Sequence, residues 1–254
     1  MTKDEKWLLD EKYNGIATIE FEADRERLAG GEPLAYVIGS VPFLGLTILL
    51  DSKPLIPRPE TEWWTDQLLT NLKNQTSDVR FLDLCAGSGA IGCAALARLP
   101  NAHVFFGEID PAHEATILKN IRANSLDESP SSAEASKDKR ATIGIGDLFE
   151  PFGDQKFDVI AANPPYIPSG RSLPDSVADH EPVLALRAGS DGLEVIRHIA
   201  RELPKHLAES GIAWIECDSE HAAAACSLFQ AENLHVEIRT DQYGVPRILV
   251  VSFS

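Results

Sequence analysis

Asn163, Pro164, Pro165 and Tyr166 directly follow the apolar run Phe157-Asp158-Val159-Ile160-Ala161-Ala162, which reads as a buried strand ending in a loop. Open α/β sheets bind ligands beyond the carboxyl ends of their strands, so the position suits chemistry as well as the residue types do. The Asn163 amide oxygen accepts hydrogen bonds, and Pro164, without an N–H, still presents a carbonyl on a stiffened backbone. Two converging acceptors can hold both hydrogens of a planar –NH2 group, and Tyr166 offers an aromatic face to the plane that carries it. The implied guest is an amide or an amino-heterocycle. A Pro-Pro pair is also an ordinary way to stop a strand, so the tetrapeptide needs a partner motif to carry weight.

That partner lies upstream, where the apolar stretch Phe81-Leu82-Asp83-Leu84 runs into Cys85-Ala86-Gly87-Ser88-Gly89 and then into a helical stretch from Ala90 to Leu99. Gly87 and Gly89 let backbone approach a ligand closely at the start of that helix. A second strand, His103 to Gly107, ends in Glu108, at the spacing of the acidic residue that receives ribose hydroxyls. Asp110 is the next candidate for that contact. A nucleoside-containing cofactor follows, but the three-glycine dinucleotide fingerprint is broken at Cys85 and at Ala90 or Ile91, which disfavours NAD. A third strand, Ala141 to Ile145, ends in Gly146-Asp147-Leu148-Phe149-Glu150. Asp147 can accept from an adenine amine while Leu148 packs on the ring, although Asp is equally at home as a turn or cap residue. Glycine loop, ribose acid, adenine acid and Asn-Pro-Pro-Tyr thus close four successive strands, so all four are expected along one sheet edge.

With these residues in place, the chain resembles the class I methyltransferases that use S-adenosylmethionine, and within them the HemK/PrmC family of protein-glutamine methyltransferases. The resemblance spans Gly31-Glu32-Pro33-Leu34-Ala35-Tyr36 with Gly39, Leu55-Ile56-Pro57-Arg58-Pro59-Glu60-Thr61-Glu62, the glycine loop, Asn120, and Gly146-Asp147-Leu148-Phe149. It continues through Asn163 to Tyr166, Glu181-Pro182, Leu184-Ala185-Leu186, Gly189, Asp191-Gly192-Leu193, Asp241, Gly244 and Arg247. Asn-Pro-Pro-Tyr is shared with methyltransferases of adenine and cytosine amines, whereas Pro57 to Glu62 is far more specific. The chain departs from the family at Cys85, where a glycine is usual. It also departs at its front, where some thirty residues precede Gly31 in place of a domain of several helices. The resemblance implies a Rossmann-like, mostly parallel sheet with an antiparallel C-terminal hairpin, preceded by a short extension and a β-hairpin. It implies S-adenosylmethionine as methyl donor, S-adenosylhomocysteine as product, and the glutamine of a release factor's Gly-Gly-Gln motif as substrate. Arg58, Thr61, Asp83, Cys85 to Gly89, Glu108, Asp147, Leu148 and Asn163 are then cofactor-binding, and Asn163 to Tyr166 catalytic.

Charge bears directly on the partner. The 254 residues carry 23 basic and 39 acidic side chains, a formal net charge of −16. Nucleic-acid binding draws much of its affinity from Lys and Arg neutralising phosphates, and no long basic run is visible, so nucleic acid is disfavoured. Cys85, Cys93, Cys217 and Cys226 lack metal spacing and read as small buried residues of a reducing compartment; no metal is expected. The acidic start and the absence of an apolar run near twenty residues argue against a signal, transit or membrane-spanning segment. Cytosol is the expected compartment, with the mitochondrial matrix as the alternative, and a monomer is the expected state.

Residues 1–75 read as an extension, hairpin and linking helix, and 76–254 as the methyltransferase domain. Trp7 and Leu8 are expected packing anchors. Leu34 to Ile38 and Phe43 to Leu50 read as paired strands around Gly39-Ser40-Val41-Pro42, and Thr61 to Asn74 as a helix with Trp64, Leu68 and Leu72 on one face. Ser125 to Arg140 is polar and of low complexity, a dispensable insertion on composition. Ile167 to Ser190 is placed to cover the pocket. Beyond it come a helix from Leu193 to Glu209, a strand at Ile212 to Cys217, a helix from Ser219 to Ala231, and a closing hairpin of Val236 to Thr240 and Pro246 to Phe253.

An amide nitrogen is a poor nucleophile because its lone pair is delocalised into the carbonyl. Positioning must therefore dominate: acceptors at Asn163 and Pro164 fix both N–H bonds and grow more favourable as positive charge develops on nitrogen. No side-chain base is obvious. His180 is the nearest in sequence, and a structural or solvated role is favoured for it. Two other functions compete: methylation of an exocyclic base amine in RNA or DNA, and a cofactor- or partner-binding module without turnover.

Overall fold

The computed structural model describes residues 1–72, 78–126 and 140–254. It opens with α1 (Lys3–Tyr13) and α2 (Ile19–Ala29). The first turn of α1 is closed by a capping box in which Thr2 Oγ1 accepts from the Glu5 amide at 3.1 Å and Glu5 accepts from the Thr2 amide at 2.6 Å. Leu8, Phe21 and Val37 form a small separate core here, and the buried Asp24 accepts from Lys12, Tyr13 and Arg27. Trp7, expected as an anchor beside Leu8, is half exposed.

Leu34–Ile38 is a one-turn helix, α3, where paired strands were expected. Pro33 stands at its start and Gly39, at φ +94°, ends it in the left-handed conformation, so the apolar run is closed before it can extend. The hairpin exists one step later, as β1 (Ser40–Phe43) and β2 (Leu46–Leu49), paired Phe43 to Leu46 around Leu44-Gly45. Both turn residues have positive φ, the requirement of a two-residue hairpin whose twist matches its strands.

The chain then alternates: α4 (Pro59–Leu72), β3 (Val79–Leu84), α5 (Ala90–Arg98), β4 (Ala102–Glu108), α6 (Glu114–Ala123), β5 (Ala141–Ile145) and β6 (Phe157–Ala162). Short helices α7 (Asp175–Ala178) and α8 (Val183–Leu186) precede α9 (Glu194–His206), β7 (Leu207–Glu216), α10 (Ala222–Ala231), β8 (Leu234–Thr240) and β9 (Pro246–Phe253). The strand expected at Ile212 starts five residues sooner and α9 stops at His206. A register shift between the Phe157–Leu207 and Val159–Ile212 pairs absorbs the additional residues as an irregularity that periodicity does not reveal.

Seven strands form one sheet in the order β5-β4-β3-β6-β7-β9-β8, parallel through β7 and antiparallel over β9 and β8. Strand residues alternate between two cores. Phe81, Val104, Phe106, Val159, Ala161 and Trp214 join the hairpin, α4, α5 and α6, whereas Leu82, Leu84, Phe105, Ile160, Ala162 and Ile215 join α9 and α10. Trp64 is fully buried and stacks on Trp214, so α4 shares the sheet's core. Most of the polar insertion lies outside the described residues. Its two ends do not: Leu126 is buried, and Arg140 donates to the Leu96, Leu99 and Leu126 carbonyls, which ties the ends to each other and to α5.

Candidate active site

Chain order reverses between β3 and β6, and the loops after those strands diverge to form the crevice of an open α/β sheet. Register fixes what meets there. Leu84 pairs with Ala162 and with Gly107, and Glu108 pairs with Ile145, so Glu108 at the end of β4 and Cys85, Asn163 and Gly146 just beyond their strands fall side by side.

On the β3–β4–β5 side, Cys85, Gly87, Glu108, Asp147, Leu148 and Asn163 line one cavity. Glu108 is buried, with Oε2 accepting from the Gly87 amide at 2.7 Å and Oε1 from the Asp110 amide at 2.9 Å. Each oxygen keeps a lone pair, so the carboxylate is aimed while retaining capacity for hydroxyl donors. Asp110 also lines the cavity, but its Oδ1 caps the following turn at the Ala112 amide. Asp147 is exposed at the rim and Leu148 packs against the core beneath it. Cys85 has φ +62°, left-handed backbone that favours glycine, and its burial pushes the thiol pKa up, which keeps it from being a thiolate.

The remaining loop residues support rather than line this cavity. Asp83 is fully buried and its Oδ2 accepts from the Gly92 amide at 2.8 Å, which ties the first turn of α5 to β3. Its Oδ1 meets no donor among the described residues, and burial raises its pKa well above the usual carboxylate range. Ala86 and Ser88 are buried; the Ser88 carbonyl accepts from Asn120, which also brackets Leu49 of β2 through its amide oxygen and nitrogen. Gly89 caps α5 at φ +76°.

A second cavity adjoins the first on the β6–β7 side, lined by Arg58, Pro164, Tyr166, Leu173 and Val177. Asn163, Leu55 and Ala185 line both, so Asn163 stands on their boundary, and Pro165 faces the first. Arg58 and Thr61, expected among the cofactor-binding residues, lie outside the lining of the first cavity. Arg58 donates to the buried Glu181 at 2.6 Å on the second cavity's wall. The buried Thr61 faces Asn163, whose Nδ2 donates to its Oγ1 at 3.1 Å. Neither lines the first cavity. The stretch from Ile167 to Ser190 roofs both cavities; Ile167–Leu186, Ala188–Ile167 and Ser169–Gly189 backbone bonds close it on itself, and Glu181 ties it to the Ile56 amide and to Arg58. Gly192 permits this close return, since a Cβ there would sit 2.5 Å from the Tyr166 carbonyl oxygen. His180 lines neither cavity.

Two features escaped sequence reasoning. Glu216, buried at the end of β7, accepts from Thr61 Oγ1 and Trp64 Nε1 at 2.7 Å each on Oε2, and from the Tyr166 hydroxyl at 3.0 Å on Oε1. Burial raises its pKa, which those three donors and nearby Arg247 oppose. An acidic residue closing the apolar run Ile212 to Ile215 was the signal available. His113 is the other: buried against the first cavity, it meets Ser52 Oγ through Nδ1 at 2.8 Å.

Comparison with known proteins gives this geometry its context. The family described as conserved hypothetical protein 95 matches residues 49–183. The release factor glutamine methyltransferase of Chlamydia trachomatis serovar L2 is 33% identical over 218 residues, 85% of this chain and 70% of that protein. The chain belongs to the release factor glutamine methyltransferase family. Another member, from Thermodesulfovibrio yellowstonii, is 32% identical over 236 residues, 90% of this chain and 79% of its own length. Among solved structures, a methyltransferase from Pyrococcus furiosus superposes with a TM-score of 0.56 at 17% identity, covering 91% of this chain and 97% of that one, which shows the shared class I fold. For a glutamine methyltransferase, the meeting of two cavities at one asparagine is the relevant feature of the fold.

Proposed function

We propose that the protein transfers the methyl group of S-adenosylmethionine to the side-chain amide nitrogen of the glutamine in a release factor's Gly-Gly-Gln motif. The observation that carries this is Asn163: it lines both cavities, and neither its Oδ1 nor the Pro164 carbonyl accepts a hydrogen bond from any described residue. The first cavity fits the donor. Glu108, with its oxygens aimed by backbone amides, would hold ribose hydroxyls, Leu148 would pack on the adenine and Asp147 would accept from its amine. When bound there, the cofactor would supply an electrophilic sulfonium methyl group.

The chain's own residues do the rest. Asn163 Oδ1 and the Pro164 carbonyl take the two N–H bonds of the glutamine amide, and Tyr166 packs on its plane. These acceptors gain strength as nitrogen becomes positive, so they favour the transition state over the ground state. The Ile167–Ser190 roof excludes water from both partners. Residues 1–75 contribute Arg58 and Thr61 to this apparatus, so the division at residue 75 is one of role. The same reading gives a monomer of a reducing compartment, the cytosol or the mitochondrial matrix, consistent with four free cysteines. Among the described residues no helix is long and apolar enough to cross a membrane.

Incubation with radiolabelled methyl donor and, in separate reactions, purified release factor, tRNA, rRNA and DNA tests the proposal. Label entering release factor alone is the expected result; label entering a nucleic acid would replace it with base-amine methylation, and label entering nothing in a sample that binds the donor would make the protein a binding module.

A further inference from the structure

Glu216 lines neither cavity, yet the Asn163 amide and the Tyr166 hydroxyl, which shape the second one, both lead back to it. Its Oε2 accepts from Trp64 Nε1 and from the Thr61 hydroxyl, both at 2.7 Å, and its Oε1 accepts from the Tyr166 hydroxyl at 3.0 Å. Thr61, Trp64 and Glu216 are all buried, so the two bonds to Oε2 are shielded from water. An indole N–H can only donate, which requires Oε2 to be an acceptor. A threonine hydroxyl has one hydrogen, and here it points at Oε2. Thr61 Oγ1 can therefore only accept from its other neighbour, Asn163, at 3.1 Å.

An asparagine amide offers an NH2 on one side and an oxygen on the other, and the two orientations fill the same space. A neighbour that can only accept selects the NH2, which turns Oδ1 to the opposite side, toward the cavities. Were the Thr61 hydrogen free, Asn163 could turn over and present its own NH2 to the substrate's –NH2, a donor facing donors. We propose that Glu216 is a positioning residue: through the Thr61 hydroxyl it fixes the direction of the Asn163 amide, and through the Tyr166 hydroxyl it fixes the ring beside it. The carboxylate thus sets the hydrogen-bond polarity of a site it does not touch. This rests on the function proposed above, in which Asn163 must be an acceptor.

Three variants separate this role from a purely structural or an electrostatic one. Thr61→Val keeps the shape but removes the hydroxyl, Thr61→Ser restores a hydroxyl, and Glu216→Gln keeps one acceptor oxygen. Trp64 and Thr61 would both claim that oxygen in Glu216→Gln, leaving its NH2 to donate to Tyr166, so the polarity at Asn163 survives without the charge. Steady-state methylation of purified release factor, calorimetry with S-adenosylhomocysteine, and the NMR signal of the Asn163 side-chain NH2, assigned by its loss in Asn163→Asp, are measured on each folded protein.

The expected pattern is a loss in kcat of about 10- to 100-fold for Thr61→Val with nucleoside affinity within threefold of the parent, most of it recovered in Thr61→Ser, and a smaller loss for Glu216→Gln. The Asn163 NH2 resonance should shift in Thr61→Val and return in Thr61→Ser. Turnover in Thr61→Val equal to the parent would overturn the proposal, and so would a larger loss in Glu216→Gln than in Thr61→Val, which would give Glu216 an electrostatic role instead. The NMR signal needs no substrate. If the parent fails to methylate release factor, an unmoved Asn163 resonance in Thr61→Val still refutes the relay, whereas a moved one upholds it and places the error in the proposed substrate. Should Glu216→Gln not fold, the two Thr61 variants carry the same decision.

Discussion

The two cavities at the sheet edge are built by different means. Around the first cavity, polar order comes from backbone: amides of Gly87 and Asp110 aim the Glu108 carboxylate, and the Gly92 amide is held by Asp83. Around the second cavity it comes from side chains drawn from three places in the chain, Thr61 and Trp64 on α4, Asn163 and Tyr166 after β6, and Glu216 on β7. The first kind of site draws its donors from backbone amides, so Cys85 removes none of them. The second has no such slack, since each member needs a specific donor or acceptor, and removing one leaves a buried partner unsatisfied.

The largest expected effect breaks the two sides apart. Asn163→Ala removes an acceptor from the boundary and should lower turnover by roughly 2.7–4 kcal/mol while leaving nucleoside binding intact, as checked by steady-state kinetics beside calorimetry. Asn163→Asp should keep partial activity, because an acceptor oxygen remains. If Asn163→Ala abolished cofactor binding, the boundary assignment would fall.

Glu108→Ala inverts the pattern. Loss of charged hydrogen bonds to ribose should weaken S-adenosylmethionine binding by about 1–3 kcal/mol, read by calorimetry, with turnover at saturating cofactor much less affected. Unchanged affinity would move the ribose contact to Asp110.

Tyr166→Phe sharpens the substrate side. The ring is retained, so turnover should fall less than in Asn163→Ala, but Glu216 Oε1 loses its donor, and chemical denaturation should show about 1–3 kcal/mol of lost stability. A fully stable variant would mean that the hydroxyl adds nothing to the network.

Asp83 gives the cofactor side a pH signature. Its carboxyl is raised by burial, so it favours the folded state below its ordinary value of 3.8 and that contribution is lost as pH rises through the raised value. Denaturation midpoints followed from acid to neutral pH should fall less steeply in Asp83→Asn than in the parent. Equal slopes would show that the buried group does not titrate there.

The smallest effect is expected at the polar insertion. The ends of the polar insertion are already joined, Arg140 to the Leu126 carbonyl at 3.3 Å. Replacing residues 128–138 by a short linker should change stability by under about 1 kcal/mol and leave cofactor affinity intact, as denaturation and calorimetry would show.

The same contrast explains what sequence revealed. Glu108, Asp147 and the loop from Cys85 to Gly89 stand at or just beyond strand ends, so local pattern and spacing sufficed to place them at one sheet edge, as they did to place β5 and β6 and the C-terminal hairpin. Thr61 and Glu216 are 155 residues apart and meet only through sheet order and the packing of α4, which no local pattern encodes. Arg58 was legible as a motif residue, but its partner Glu181, which decides which cavity it serves, lies 123 residues away. At Leu34–Ile38 an apolar run is ambiguous between one helical turn and a strand, and only the left-handed Gly39 resolves it.

In the proposed reaction an amide nitrogen is delivered to the methyl donor across the boundary at Asn163. Mass spectrometry of release factor after incubation with the protein and S-adenosylmethionine tests it most directly. One added methyl on the Gly-Gly-Gln glutamine with the parent protein, and none above background with Asn163→Ala in the same time, is the predicted result. Methylation at another side chain, or equal methylation by both proteins, would contradict it.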